Sequence, residues 1–478
     1  MNRKWIWIAL VLFLLPIAAH AVWFYTGIPV RPQVKTPDYK DMTMPLAPLS
    51  TPQSQDKLTQ LGGVVVFDGA HTNQYQPGEI QALTDELERR GASVEFDTVA
   101  GTLANRLKYA STYVIVSPSV GFSSDDIHSI TAFVKNGGRL LVFTDATRGL
   151  LSVDYFTGAQ TLFPDVNAIN PLLASFDITV NNDYLYNLTE NEGNFRNVYF
   201  DQFSKNELTF GLKEVAFYGT HSVESPSGQV LLLGDDKTLS SLTDAHSSAE
   251  GGAVLNSDGN VLVFGDFTFL STPYNGVADN ATLIANIADF VLGGTRQHML
   301  ADFPYIFNSK SVQVFPTSNI QMTAEMVGAL GGLQAALKTI NTDVQVTDSA
   351  PVHSDAIILG TFTSSDDLLP FIKPFGISLD KSSDYVELPH FGKVGTTGNG
   401  LLLFQPNQSG NTLILLADTD TDLTTLLTTL SSGSISGCIL QDNMGICSIG
   451  SGSSFSVEST PEATPSGSGT TPTPTPAG

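Results

Sequence analysis

Short β-branched runs alternate with amphipathic helical segments from Gly62 to Gly149, and this alternation limits the fold more than any other feature. Strands are predicted at residues 62–68, 93–97, 113–117 and 139–145. The first predicted helix carries apolar residues at spacings of three and four, which places them on one face: Ile80, Leu83 and Leu87. Apolar strands that alternate with such helices indicate βα units on a parallel sheet buried on both faces.

Two α/β domains are expected, because 478 residues exceed what one compact domain usually holds. The first domain spans 62–297 and contains an insertion, 146–229, that is rich in Asn, Phe and Tyr and is predicted to form short strands. The second, smaller domain spans 302–449 and is predicted to have a mixed sheet, with a hairpin turn at 407–411.

The N-terminus indicates export. Residues 1–4 include the positively charged Arg3 and Lys4, and an apolar run from Trp5 to Tyr25 follows. The segment Ala19-His-Ala21 fits the cleavage rule of a signal peptide, whereas the run is also about as long as the ~20 residues that a membrane anchor needs. Both interpretations stay open, and both place the bulk of the chain outside the cytoplasm.

The remaining composition agrees with an exported protein. Cys438 and Cys447, the two cysteines of the chain, are expected to form a local disulfide. The formal net charge of −24 argues against nucleic acid and anionic lipid surfaces as partners, because both require clustered Lys and Arg. A linker is predicted at 26–61 and a disordered Ser/Thr/Pro/Gly-rich tail at 450–478.

Polar residues collect where the predicted strands of the first domain end, and ligands of open α/β sheets bind beyond these carboxyl ends. The candidate ligand or metal cluster consists of Asp68, His71, Asn73, Ser117, Asp145 and Asp266, with Thr147 beside it. An Asp–His pair can act as a general base, and several carboxylates can hold a divalent cation. The alternative interpretation is that the acids cap turns and helices and that His71 is a loop residue.

Three further patterns are less specific indications of function. Ser117 or Ser119 could act as a nucleophile with His71, although spacing alone cannot establish a triad. The acids of 418–422 alternate as in a calcium loop, but the later ligands of such a loop are missing, which favours an acidic helix N-terminus. The aromatic residues of the insertion fit either a binding face or a local core: Tyr184, Tyr186, Phe195, Tyr199, Phe200 and Phe203.

Three stretches carry a family resemblance: residues 67–73, Ser117-Pro118 with the later 135–143, and 263–269 with Asp279-Asn280. On these stretches the first domain resembles the class I glutamine amidotransferase-like superfamily, more closely its uncharacterised branch related to ABC-transporter auxiliary and gliding-motility-type proteins. The resemblance implies a flavodoxin-like parallel sheet. True members carry a nucleophilic Cys after the strand that ends at Phe143, whereas this chain reads Thr-Asp-Ala there.

The missing nucleophile makes amidotransferase activity unexpected. The sequence therefore predicts a membrane-tethered, extracytoplasmic, non-enzymatic binding or scaffold protein that serves a transporter or the cell envelope, without a cofactor. Two rival hypotheses remain: a metal-assisted hydrolase that uses the strand-end Asp/His cluster, and a carbohydrate-binding protein that uses the aromatic insertion.

Overall fold

The computed structural model describes residues 3–26, 61–243, 251–363, 366–380, 383–389 and 391–450. Apart from their end residues, the predicted linker at 26–61 and the predicted tail at 450–478 lie outside these ranges.

The N-terminal segment is one helix, α1, Arg3–Thr26, and the side chains of residues 3–25 are exposed. Its 24 residues span roughly 36 Å at ~1.5 Å per residue, which exceeds the ~30 Å hydrocarbon thickness of a bilayer. It is the one helix in the described part of the chain that is long and apolar enough to cross a membrane, and a signal sequence meets the same criterion. An anchor and a cleavable signal are thus both compatible with it.

The first lobe comprises the described residues between 61 and 292. Its strands and helices, in chain order, are β1 Val64–Asp68, α2 Gln81–Arg89, β2 Ser93–Asp97, α3 Leu103–Leu107, β3 Thr112–Val116, α4 Ser124–Lys135, β4 Arg139–Phe143, β5 Gly149–Val153, β6 Gln160–Pro164, α5 Val166–Leu173, β7 Thr179–Val180, β8 Leu185–Asn187, β9 Asn197–Phe200, β10 Gln202–Phe203, β11 Val215–Tyr218, β12 Val223–Glu224, β13 Gln229–Leu233, β14 Thr238–Ser240, β15 Gly251–Leu255, β16 Val261–Phe264 and α6 Asn280–Leu292.

The main sheet of this lobe has the order β10-β13-β15-β16-β4-β3-β1-β2. Strands β2, β1, β3, β4 and β16 are mutually parallel. Their order corresponds to the 2-1-3-4-5 arrangement of flavodoxin-like sheets. The predicted fold class, a flavodoxin-like α/β sheet, is therefore confirmed for this half of the sheet.

Antiparallel strands extend the other half of the sheet, and one of them was missed by the sequence analysis. Strand β15 lies between β16 and β13 and is fully buried. A Cβ atom on Gly251 would lie 2.2 Å from Val230 Cγ1, and one on Gly252 would lie 2.7 Å from the Phe200 ring. The two glycines weaken the strand pattern in the sequence. The neighbouring side chains nevertheless require them, because they leave no room for a larger residue at either position.

Apolar side chains cover both faces of the main sheet. One face packs against α2, α6 and the aromatic residues of the insertion, with Leu83, Ile287 and Phe217 buried. The opposite face packs against α3, α4 and α5, with Leu107, Ile130 and Ile169 buried. Burial on both faces explains why the parallel strands read as continuous apolar runs.

Side-chain hydrogen bonds fix two helix starts of the first lobe. The N-cap of α4 is Ser123, whose Oγ accepts from the Asp126 N–H at 3.2 Å. At the start of α6, the Asn280 Oδ1 accepts from the Ala216 N–H at 3.0 Å and its Nδ2 donates to the Ala216 carbonyl. Its amide therefore joins α6 to β11.

The second lobe comprises the described residues from 299 to 450. Its strands and helices are β17 Ser311–Pro316, α7 Ala324–Lys338, β18 Asp343–Val346, β19 Ala356–Thr361, α8 Leu369–Ile372, β20 Tyr385–Leu388, β21 Gly392–Gly395, β22 Asn399–Gln405, β23 Thr412–Ala417, α9 Asp420–Ser431, β24 Ile439–Gln441 and β25 Met444–Ser448.

The sheet of the second lobe has the order β18-β17-β19-β23-β22-β25-β24. The first four of these strands are parallel and the last three run antiparallel to their neighbours. It is the mixed sheet that the sequence predicted, with the predicted turn between β22 and β23. Helices α7 and α9 cover one face, and α8 with the β20–β21 hairpin covers the other.

A disulfide joins Cys438 and Cys447 across the β24–β25 hairpin, as the sequence predicted. Its sequence separation is 9 residues, and closing a loop of that length removes entropy from the unfolded chain worth about 2–3 kcal/mol. We expect reduction of the bond to lower the free energy of unfolding of the second lobe by that amount, as measured by urea unfolding with and without reductant. An unchanged stability, with both thiols shown to be free by titration, would contradict this.

Candidate functional site at the strand ends

The six candidate residues lie at the carboxyl edge of the parallel strands, as predicted, but they do not meet at one point. Asp68 ends β1, and Asp266 lies just beyond β16. Three strand spacings separate these two strands, which is about 14 Å at ~4.8 Å per spacing. The structure instead divides the candidates into separate hydrogen-bonded groups along the edge.

The first group surrounds His71. Its Nδ1 lies 2.9 Å from Asp68 Oδ1, which also accepts from the Tyr113 hydroxyl at 2.9 Å. The Nε2 lies 3.8 Å from Asp126 Oδ2, and the ring stacks on Phe122 with centroids 3.9 Å apart. Burial lowers the pKa of His71, but the carboxylates of Asp68 and Asp126 outweigh it and raise the pKa above its ordinary value.

This group lies at the switch point of the sheet, between β1 and β3, where ligands of such folds bind. In this protein the loops that follow β1 and β3 are hydrogen-bonded to each other. The His71 carbonyl accepts from the N–H groups of Ser119 and Val120 at 3.1 and 3.0 Å. The Asn73 Nδ2 donates to the Val116 carbonyl at 2.9 Å, and the Gln74 N–H donates to the Ser117 carbonyl at 2.8 Å. These hydrogen bonds tie the loops after β1 and β3 to each other across the crevice.

The second group pairs Asp145 with Asp266, both fully buried. Thr268 joins them, since its hydroxyl donates to Asp145 Oδ2 at 2.8 Å and its N–H donates to Asp266 Oδ1 at 2.8 Å. Burial raises the pKa of Asp145, and burial together with the charge of Asp145 raises the pKa of Asp266 well above its ordinary value. The pair therefore retains a proton to higher pH than an isolated carboxyl group does.

Between these groups lies a buried chain of acids and one histidine that the sequence analysis missed. The Ser117 hydroxyl donates to Asp165 Oδ2 at 2.8 Å. The His221 Nε2 lies 3.3 Å from Asp165 Oδ1, and its Nδ1 lies 4.0 Å from Asp183 Oδ1. Neither ring nitrogen has a well-aligned hydrogen bond, so the attraction is mainly one of charge. No local pattern in the sequence reveals these partners, which lie 38 and 56 residues from His221 along the chain.

Each candidate acid also accepts a backbone N–H two residues along the chain. The donors are Ala70 for Asp68 at 3.3 Å, Thr147 for Asp145 at 2.8 Å and Thr268 for Asp266 at 2.8 Å. Such contacts are typical of Asx turns, in which an acid fixes the backbone that follows a strand. They correspond to the capping interpretation of these acids.

A metal site is not assembled at this edge. Within the described ranges, no group of three or more His, Cys, Asp or Glu side chains is arranged to hold a metal ion. The alternating acids of the second lobe lie at the N-terminus of α9, where the Thr419 hydroxyl accepts from the Asp422 N–H at 3.1 Å. Favourable interaction with the helix dipole accounts for their position.

Neither candidate nucleophile has a hydroxyl that is hydrogen-bonded to the His71 ring. The Ser117 hydroxyl donates a hydrogen bond to Asp165. The backbone of Ser117 adopts φ of 39°, which is strained for a residue with a side chain. The Ser119 Oγ is buried and, among the described residues, has no hydrogen-bond partner. Neither hydroxyl is thus placed against His71 as a triad requires.

The aromatic residues of the insertion divide between a core and a surface. Phe200 is fully buried and packs edge-on against Phe217 with centroids 5.4 Å apart. Phe195 is exposed, and its ring lies 6.3 Å from that of Tyr186. The expected local core is therefore present around Phe200, whereas Phe195 lies at the surface.

Two cavities in the described part of the chain lie elsewhere than the strand ends. One of about 620 Å³ lies where the lobes meet and is lined by Tyr109, Tyr305 and Lys310, among others. Another of about 310 Å³ is lined by four acids of the insertion region: Glu190, Asp201, Glu214 and Asp235. Neither cavity reaches the six candidate residues.

Fold and site together define a two-lobed α/β protein whose flavodoxin-like sheet has a closed switch-point crevice. Residues 75–288, less than half of the chain, match a family model described as "Domain of unknown function (DUF4350)". The match covers most of the first lobe. No curated protein matches the sequence.

Solved structures resemble the chain weakly. An mmIFT52 N-terminal domain is 12% identical, with 48% of this chain and 97% of that chain covered at a TM-score of 0.39. A ThuA-like protein from Bacteroides uniformis is 10% identical, with 49% and 92% covered at 0.31. The glutaminase domain of a Trypanosoma brucei CTPS is 10% identical, with 48% and 93% covered at 0.24. These likenesses are too weak to support any conclusion about activity.

Proposed function

We propose that this chain is a membrane-tethered, extracytoplasmic binding or scaffold protein without catalytic activity of its own. The observation that carries the proposal is the closed crevice at the switch point, where the loops after β1 and β3 bond to each other. A hydrolase or a small-molecule binder of this fold needs that crevice open to a ligand. The apolar helix α1 supports the tether, and the Cys438–Cys447 disulfide fits an oxidising compartment.

The surface that supports binding is the aromatic patch of the insertion, formed by Tyr184, Tyr186, Phe195 and Arg196. The Arg196 guanidinium lies 4.2 Å from the Tyr184 ring centroid and 5.5 Å from that of Phe195. Tyrosine and arginine are the residues that most often dominate the energy of protein interfaces. Stacking also orders the guanidinium before a partner arrives, which lowers the entropic cost of binding.

Charge indicates the kind of partner. The acidic cavity is lined by Glu190 of the insertion, which follows the aromatic Tyr186 by four residues, and by Asp235 just after the insertion. The chain as a whole carries a formal net charge of −24. A protein that presents Lys or Arg beside an apolar surface fits both features. A component of a transporter or of the cell envelope is the partner we propose.

Site-specific photocrosslinking tests this proposal. Replacing Phe195 by p-benzoylphenylalanine in the full-length chain, in its native membrane, is expected to give a discrete protein adduct on illumination. The matched control is the same replacement of Phe210, which is exposed in the same lobe but lies outside the patch. Arg196→Ala should reduce the adduct, because it removes the stacked cation.

Three outcomes would overturn the proposal. Equal labelling at both positions would show that the patch is not selective, and an adduct that periodate destroys would identify a carbohydrate instead of a protein. Hydrolytic activity of the purified protein against ester or phosphoester substrates, abolished by His71→Gln, would establish the rival hydrolase.

A further inference from the structure

The hairpin of β5 and β6, residues 149–164, exposes an unusual amount of apolar surface. The rings of Tyr155 and Phe156 at its tip are 92% and 91% exposed. Five further apolar side chains along its strands are each more than 40% exposed: Leu150, Leu151, Val153, Leu162 and Phe163. The two strands pair with each other and with no other strand of the described chain. A monomeric soluble protein rarely leaves such a contiguous patch uncovered.

Both faces of the hairpin are apolar. Leu150 pairs with Phe163 across the strands, and the next pair, Leu151 with Leu162, points to the opposite face because side chains alternate along a strand. A flat protein surface would cover only one of these faces. A medium that surrounds the hairpin covers both.

Several backbone N–H groups at the tip are hydrogen-bonded within the hairpin itself. The N–H groups of Phe156 and Thr157 donate to Asp154 Oδ1 at 3.0 and 2.7 Å. The Gly158 N–H donates to the Asp154 carbonyl, and the Asp154 N–H donates to the Ala159 carbonyl at 2.8 Å. Internal pairing of this kind is what a segment needs before it can leave water for lipid.

Charge selects among lipid surfaces. Residues 149–164 contain no Lys or Arg, and Asp154 is their one acid. The formal net charge of −24 also repels the chain from anionic headgroups. A zwitterionic bilayer has no net charge to oppose this, and aromatic side chains favour its interfacial region.

We propose that the hairpin inserts its aromatic tip into the interface of a zwitterionic lipid bilayer. A depth of about 5–10 Å, typical of interfacial elements, immerses the rings of Tyr155 and Phe156 and the neighbouring apolar side chains. The Asp154 carboxylate enters the interfacial region with the tip and keeps its hydrogen bonds to the turn, since its Oδ1 accepts from the Phe156 and Thr157 N–H groups. This is a second membrane contact, in addition to the tether proposed above for α1.

Depth-dependent fluorescence quenching tests the insertion. Phe156→Cys gives a single reactive thiol, because both native cysteines are in the disulfide. The full-length variant, labelled with an environment-sensitive fluorophore, is reconstituted into phosphatidylcholine vesicles. We expect blue-shifted emission, strong quenching by phosphatidylcholine that carries a doxyl group near the headgroup, and weak quenching by iodide. The matched control is Phe210→Cys, which should show the reverse.

A second set of variants tests whether the aromatic tip is responsible for the insertion. With the label at Leu162→Cys, the substitutions Tyr155→Ser and Phe156→Ser should abolish quenching by the doxyl lipid while circular dichroism stays unchanged. Iodide quenching at position 156 equal to that at 210 would overturn the proposal. So would a shielded label that the doxyl lipid does not quench, since a protein contact would then cover the hairpin. Failure of the α1 tether is detected separately, because the vesicles would then float without the protein.

Discussion

Replacing His221 by Gln is expected to lower the free energy of unfolding by about 3–5 kcal/mol below neutral pH, the usual cost of removing one partner from a buried ion pair. His221 is 2% exposed and lies between Asp165 and Asp183, which are also buried. Glutamine keeps most of the volume of histidine but cannot carry its charge. The two carboxylates would then face each other across an uncharged side chain.

The loss should depend on pH in a defined direction. Burial lowers the pKa of His221, but Asp165 and Asp183 outweigh it, so the pKa in the folded protein is raised above its ordinary value. Because the folded state holds the proton more tightly, the stabilisation is complete below the unfolded pKa of about 6.5. It is lost as the pH rises through the folded pKa. The difference between wild type and variant should therefore shrink at alkaline pH.

Urea unfolding of both proteins over a range of pH measures this difference. His128→Gln is the matched control, because His128 lies exposed on α4. A difference that stays constant from acid to alkaline pH would show that His221 acts only by packing. A difference that grows with pH would contradict the charge argument altogether.

Replacing Phe217 by Ala is expected to cost about 3–5 kcal/mol, as large-to-small changes of buried aromatic residues do. The Phe217 ring is fully buried and stacks on Phe269 with centroids 4.7 Å apart. It also contacts the rings of Phe200 and Phe264, at 5.4 and 6.2 Å. The substitution would leave a cavity where the insertion packs on the main sheet.

Phe210→Ala supplies the control for this substitution, since the Phe210 ring is 80% exposed in the same lobe. Its stability should stay within about 0.5 kcal/mol of wild type. Thermal or urea unfolding of the wild type, Phe217→Ala and Phe210→Ala tests both expectations. A small loss for Phe217→Ala would mean that the insertion is not part of the cooperative core, and the assignment of its aromatic residues to that core would be wrong.

Much of the fold was predictable because its signals are local. The strands that end at Asp68 and Phe143 are short β-branched runs, and the helix with Leu83 and Leu87 shows its period directly. The disulfide was predictable because two cysteines leave a single intramolecular pairing. Strand β15 was not, because the glycines at 251 and 252 weaken its pattern while neighbouring side chains require them.

The candidate site was predictable only as an edge of the sheet. Strand ends can be read from the sequence, so Asp68, Ser117, Asp145 and Asp266 were correctly placed along one edge. Which of them touch depends on the order of the strands and on the loops that cross them. That order separates β1 from β16 and closes the crevice beside His71.

The alternation of strands and helices, the apolar N-terminal segment and the local disulfide could be predicted from the sequence, because each depends on residues close together in the chain. The position of His221 between Asp165 and Asp183, the burial of Phe200 but not of Phe195, and the exposure of the hairpin are visible only in the folded chain. Burial and the pairing of charges depend on contacts between distant segments, which local patterns do not encode.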